Sequence, residues 1–317
     1  MPQAEGAQGQ ILLAEETTYN QDPSPLDAVV LPFARETLGM RRNRIERETI
    51  TKNRNKRMPK RGKQDVTGDI TVELNNHAHA YLLKHLLGSV ATAGSSAPYT
   101  HTFKVGPLPV GLVIEKGFTD IGEYFKYNGC KVARAAFDFR DEGIIAPVFT
   151  LQGSGKETVS GTPMDADPVE LADEVFDGFE ASIEEGGAEI ATVTEVNFEV
   201  NNDLDPGGYT VGSQGIRHKL SAGFCVVTGN LTAMFDSVAL YNKAVNHTES
   251  SLKITLTRDT DNSIEFLIPE LVFDPEAPVI EGPRGVLVRL PFMAYYDDSG
   301  EQTSIQVTVK NDMATIG

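Results

Sequence analysis

At 317 residues the chain is longer than an ordinary single domain, and 40% hydrophobic content is enough for two packed cores, which excludes global disorder. Two cysteines exclude a disulfide framework, no paired Cys/His spacing exists for a zinc module, and no run nears the roughly 20 apolar residues of a membrane-spanning helix. The net charge of −17 argues against a conventional nucleic-acid binder, yet residues 35–63 hold twelve Lys/Arg against three Glu, leaving about −26 for the rest. No aromatic interleaves that basic stretch, so base stacking is not provided for. The opening MPQAEGAQGQ carries no basic apolar leader, so synthesis and folding in a cytoplasm are expected.

In chain order, residues 11–14 form a short apolar run, followed by a turn-rich stretch at 19–26. Residues 44–51 (RIERETIT) alternate as a strand does, and 52–64 read as a polar, basic loop holding Lys52, Arg54, Lys56, Arg57, Lys60, Arg61 and Lys63. Residues 77–87 place Tyr81, Leu82, His85 and Leu86 at helical spacing, with Gly88 as the stop. Strands are expected at 111–116 and 143–151. From 157 to 216 there is no Lys or Arg, while Asp165, Asp167, Glu170, Asp173, Glu174, Asp177, Glu180, Glu184, Glu185 and Glu189 crowd the same stretch. Such a block makes a solvated face; the sharper reading is that it complements the basic segment of another copy. Residues 189–200 then alternate, 201–215 form a Gly/Asn/Asp-rich loop, and 236–245 read as a short helix opened by Asp236. Strands follow at 252–257 and 285–293. A last one at 304–309 exceeds what a second unit needs, so it pairs elsewhere or with a neighbour.

The most informative feature is a repeat. VTGDIT at 66–71 returns as VTGNLT at 227–232, so that Val66, Thr67, Gly68 and Asp69 recur as Val227, Thr228, Gly229 and Asn230. Each copy follows a loop and precedes a helix and apolar strands. The expected fold is mainly β: a β-sandwich or curled antiparallel sheet with one flanking helix per unit, in two similar tandem units. The first unit takes 1–160 with its basic loop, 161–177 is an acidic linker, and 178–317 is the second unit with a C-terminal arm.

No catalytic constellation or cofactor motif emerges. His77, His79, His85 and His101 lack the spacing of zinc ligands and read as surface or interface residues. Asp259, Asp261 and Glu270 match three calcium-loop positions, but Ile264 replaces the turn glycine. Lys156 after Gly155 lacks the Ser/Thr of a phosphate loop. Cys130 and Cys225 read as buried free thiols, and the chain is not expected to be an enzyme or to bind a cofactor. A glycan- or cell-surface-binding β-sandwich is the alternative class, weakened by the absence of Trp.

GQILLAEETTYN (9–20), VTGDITVEL (66–74), YTHTFKVG (99–106), LVIEKGF (112–118) and YNGCKV (127–132) resemble the tail tube proteins of long-tailed bacteriophages. The resemblance implies a virion subunit that polymerises with itself in stacked rings, its strands joined into one inner barrel around a negatively charged channel for DNA ejection. It also implies tape measure, tail terminator and distal tail proteins as partners, DNA passing without specific binding, and no membrane. The loops before the two VTG motifs would reach the adjacent ring. Lumen-facing residues would come from alternate positions of 44–51, 67–74, 189–200 and 224–231. A doubled unit implies three chains per ring with pseudo-sixfold symmetry; six chains with a decorating second unit is the alternative.

Overall fold

Val, Ile, Phe and Thr recur with period two along much of the chain, and strands dominate the architecture accordingly. A computed structural model describes residues 3–280 and 282–316. Gly9–Glu15 (β1), Val29–Val30 (β2), Arg35–Glu36 (β3), Gly39–Ile45 (β4) and Lys60–Thr71 (β5) lead to the helix Ala78–Leu87 (α1). Gly88–Ala93 (β6), Tyr99–Val105 (β7), Leu112–Phe118 (β8), Glu123–Arg140 (β9), Val148–Gly153 (β10) and Glu157–Ser160 (β11) follow. Val169–Glu170 (β12), Ala181–Glu185 (β13), Ala188–Glu189 (β14), Val193–Asn201 (β15) and Val226–Met234 (β16) precede the helix Ala239–Val245 (α2). Ser250–Thr257 (β17), Ser263–Phe273 (β18), Leu287–Ala294 (β19) and Gln306–Asn311 (β20) complete the chain.

Pairing follows one order twice. In the first half β1 pairs with β8, β8 with β9, β9 with β10, β10 with β5 and β5 with β4. In the second half β13 pairs with β17, β17 with β18, β18 with β19, β19 with β16 and β16 with β15. Each half has one short helix, α1 packed on β9 and α2 on β18 and β19. The halves meet where β9 pairs antiparallel with β15, from Arg134↔Asn201 to Arg140↔Glu195. The strands β4, β5, β10, β9, β15, β16, β19 and β18 therefore form one continuous run of eight.

Under that junction lies an aromatic cluster. Phe137 and Phe139 of β9, Phe198 of β15 and Phe266 of β18 stand with ring centroids 5.0–5.9 Å apart. All four are buried, in one apolar core that spans both halves. Aromatic pairs at such separations add about 0.5–1.5 kcal/mol each beyond area burial. The final strand β20 does pair elsewhere: it lies between β18 and β7, tying the C-terminal residues to the first half. Residues 161–177 are docked rather than free. β12 pairs parallel with β2, the Ala28 amide donates to Asp165 Oδ2 at 2.9 Å, and Phe176 is buried.

Three local expectations need correction. Residues 46–51 are not a strand: β4 ends at Ile45, and Ile45 and Ile50 are 56% and 96% exposed, so the alternation has no core to face. The loop that follows runs over 46–59, because Lys60, Arg61, Lys63 and Gln64 already belong to β5. Asp236 does not cap α2, which starts at Ala239 after Val238 without a side-chain cap.

Candidate assembly interface

The basic segment is a projecting hairpin. β4 and β5 pair from Gly39↔Thr67 to Ile45↔Lys60, and every residue from 41 to 50 is exposed on both faces. Lys52, Arg54, Lys56 and Arg57 sit in the exposed tip, and Lys60, Arg61 and Lys63 are exposed along β5. Lys56–Glu46 at 3.4 Å is the arm's single ion pair among the described residues, so most of its positive charge has no partner within the chain. Ile50 at 96% and Met58 at 84% exposure add apolar surface to the same tip.

The equivalent loop of the second half behaves differently. Residues 202–225, between β15 and β16, fold back against the base of the arm. Tyr209 Oη donates to the Gln64 carbonyl at 2.7 Å, and the Gln64 amide donates to the Gly215 carbonyl at 2.8 Å. The buried Arg217 guanidinium binds Asp65 Oδ1 at 2.6 Å and the Gly153 carbonyl at 2.8 Å. Lys63 Nζ lies 4.3 Å from the Tyr209 ring centroid. One loop projects; its counterpart braces it.

The repeat motifs lie on β5 and β16, and their glycines hold corresponding places. Gly68 sits opposite Leu151 of β10, and Gly229 opposite Phe292 of β19. A Cβ on Gly68 would come within 2.4 Å of Leu38 Cα. One on Gly229 would meet the Asn197 carbonyl at 2.3 Å and the Phe292 ring at 2.6 Å. Val66 and Val227 point into the core. Asp69 accepts a hydrogen bond from Thr150 Oγ1 at 2.6 Å on the open face, where Asn230 donates to Asn197 Oδ1 at 3.1 Å.

That open face of the eight-strand run carries polar side chains in rows. Arg134 of β9 donates to Glu199 of β15 at 3.1 Å, and Arg140 lies 2.7 Å from Asp138 and 3.6 Å from Glu195. Thr228, Asn230 and Thr232 of β16 continue the rows toward Arg289 of β19. Charges of both signs interleave here. Of the stretches expected to supply open-face residues, 67–71, 193–200 and 226–231 fall on these strands, whereas 46–51 lie on the arm.

A family model described as phage tail tube protein matches residues 6–294, nearly the whole chain. The chain belongs to the phage tail tube protein family. It is a structural component of the virion tail. No curated protein matches the chain in sequence. Among the described residues no helix is long and apolar enough to cross a membrane.

In this tail tube protein His77, His79, His85 and His101 are buried, where the sequence suggested surface or interface residues. α1 is enclosed on most sides, so His79 and His85 are buried with its leucines. His79 Nδ1 accepts from the Asn75 amide at 3.3 Å, and burial pushes its pKa down to about 3, so it stays neutral. His85 bonds Glu15 at 3.1 Å; His101 bridges Thr92 at 2.9 Å and Asn311 at 3.0 Å. Asn75, which the sequence did not mark, caps the helix by accepting from the amides of His77 at 3.2 Å and Ala78 at 2.7 Å. Both cysteines are free; burial raises the Cys130 thiol pKa well above its usual value and that of Cys225 to about 11, leaving neither poised as a nucleophile. Asp259 closes the β17–β18 turn through the amides of Asp261 at 2.7 Å and Asn262 at 2.9 Å, a turn role rather than an ion-binding one.

Proposed function

We propose that this protein polymerises as stacked rings of three chains, each chain supplying two similar units, and that the rings form the non-enzymatic tube through which DNA leaves the capsid. The observation that carries the reading is the eight-strand run with its repeated pairing order and an unpaired edge at β4. A strand edge of that length is an aggregation hazard unless a neighbour covers it, and closing the sheet around an axis removes it. Three chains give about 24 strands; at the usual interstrand spacing and tilt the barrel is roughly 40–50 Å across at the backbone, enough to enclose a DNA duplex. Six chains would double that perimeter.

The open face of the run becomes the channel wall in this reading. Its ion-paired rows leave few free cations to hold a phosphate backbone, so DNA slides without specific binding. The wall is closer to charge-balanced than a uniformly negative channel. The basic arm reaches the adjacent ring, where exposed acids such as Asp167, Glu170 and Asp173 offer complementary charge. Tape measure, terminator and distal tail proteins are its expected partners within the tail.

Electron microscopy of concentrated protein, with and without a tail-tip initiator, tests the reading. Tubes or stacked rings are expected. Compact monomers under both conditions would overturn it.

A further inference from the structure

The internal junction between the halves pairs two strands that have counterparts left over at the ends of the eight-strand run. β9 continues past β10 and pairs, through residues 134–140, with β15. β18 occupies the place of β9 in the second half, and residues 274–280 continue it beyond its pairing with β19. The Asp274 amide still donates to the Pro291 carbonyl at 2.8 Å, after which the described residues give the segment no strand partner. Val279 and Ile280 are 64% and 80% exposed. At the opposite end of the run, β3 and β4 pair, among the described residues, with β5 alone and occupy the place of β15.

We propose that residues 274–280 of one chain pair antiparallel with the β3–β4 edge of a second copy, reproducing the β9·β15 junction between subunits. This rests on the tube reading above. The repeat sets the register: Thr150 and Pro291 lie opposite Asp69 and Asn230, and Gly68 and Gly229 lie opposite Leu38 and Phe198. Arg134↔Asn201 then becomes Asp274↔Arg41, and Phe137↔Phe198 becomes Ala277↔Leu38.

Charge supports the assignment. At the internal junction the cations lie on β9 and the acids on β15, as Arg134–Glu199 and Arg140–Glu195. Between subunits the signs are exchanged: Asp274 and Glu276 face an edge carrying Arg35, Arg41 and Arg42. The carried-over rows bring Asp274 to Arg41 and Ile280 to Arg35 on the same face.

The free chain masks both partners. The Leu38 amide and carbonyl bond side chains rather than β5: the amide donates to Glu36 Oε2 at 2.9 Å, and the carbonyl accepts from Lys116 Nζ at 2.8 Å. Those are the backbone groups that Ala277 would take up. Pro278 turns its missing N–H away from the proposed partner, whereas Pro275 falls opposite Met40 and leaves that carbonyl without a donor, so the ladder is one hydrogen bond short there and the segment is a poor template for indiscriminate strand pairing. The junction is consequently heterologous, joining one surface to a different one, and it closes into a ring when the rotation allows.

The test is a disulfide trap. Arg41→Cys and Asp274→Cys, both at exposed positions, are combined with Cys225→Ser, and the protein is polymerised before oxidation. Cross-strand neighbours fall within the roughly 4.4–6.8 Å Cα separation that a disulfide spans. Within one chain the two positions lie seven strands apart, about 30 Å, so the bond forms only between chains. Dimers and closed trimers on a non-reducing gel are expected, with neither single-cysteine chain giving them. A second variant pair reads charge: Asp274→Arg should weaken ring formation, and adding Arg41→Glu, which faces it in this register, should restore it. Normal tubes with no cross-link and no effect of charge exchange would overturn the junction while sparing the tube reading. Absence of rings and tubes in the unsubstituted protein would overturn both.

Discussion

Gly68 and Gly229 hold equivalent positions on β5 and β16. Each takes part in a close approach that leaves no room for a methyl group, against the Leu38 backbone for Gly68 and against Asn197 and Phe292 for Gly229. Gly68→Ala and Gly229→Ala should each destabilise the chain by about 1–3 kcal/mol, the usual range for overpacking. Gly229 should suffer more, because a carbonyl and an aromatic ring crowd the same point. Chemical denaturation with the midpoint as readout checks this; unchanged midpoints would remove close approach as the reason for glycine. The motif was legible because it occurs twice, but its purpose was not, since Leu38 and Phe292 come from distant parts of the chain. The histidines show the opposite case. Spacing read those on and near α1 as surface or interface residues, and only the packing of α1 against β9 and β7 explains why His79 is fully buried.

At the scale of elements, the arm and its folded-back counterpart decide what the charge asymmetry does. Reversing Arg54, Lys56, Arg57 and Lys60 to Glu replaces exposed charges, with a single 3.4 Å ion pair to Glu46 lost, so the fold should be retained. Ring stacking should fail while rings still close, seen as short or absent tubes with ring-sized particles in sedimentation. Raising salt should mimic the change, since exposed charges are screened over about 8 Å at physiological ionic strength. Equal loss of rings and tubes would count against an inter-ring role. Sequence located the basic segment, both helices and the final strand, because composition and periodicity are local. It misplaced the strand over 46–51, because alternation does not reveal whether a core faces it. It also treated the loops before the two VTG motifs alike, although Tyr209 and Arg217 brace the second against the base of the first.

Across the whole molecule, the repeated order of pairing is an argument about symmetry. In the proposed ring, two units joined through β9 and β15 would act as neighbours among six, with the aromatic cluster beneath that contact linking them. Such a ring would have two kinds of junction in alternation: one covalently continuous and packed on phenylalanines, the other between chains. Its outer features would alternate too, because among the described residues the first unit projects a basic arm and the second does not. End-on averages of isolated rings should therefore show six-fold spacing in the wall with three-fold modulation in the projecting density. Mass measurement should give three chains per ring. Deleting the arm tip, residues 46–59, should erase the modulation and leave the wall, since none of those residues belongs to a strand. Six arms per ring, or six chains by mass, would instead mean that each chain contributes one barrel unit and that the repeated pairing order serves another purpose.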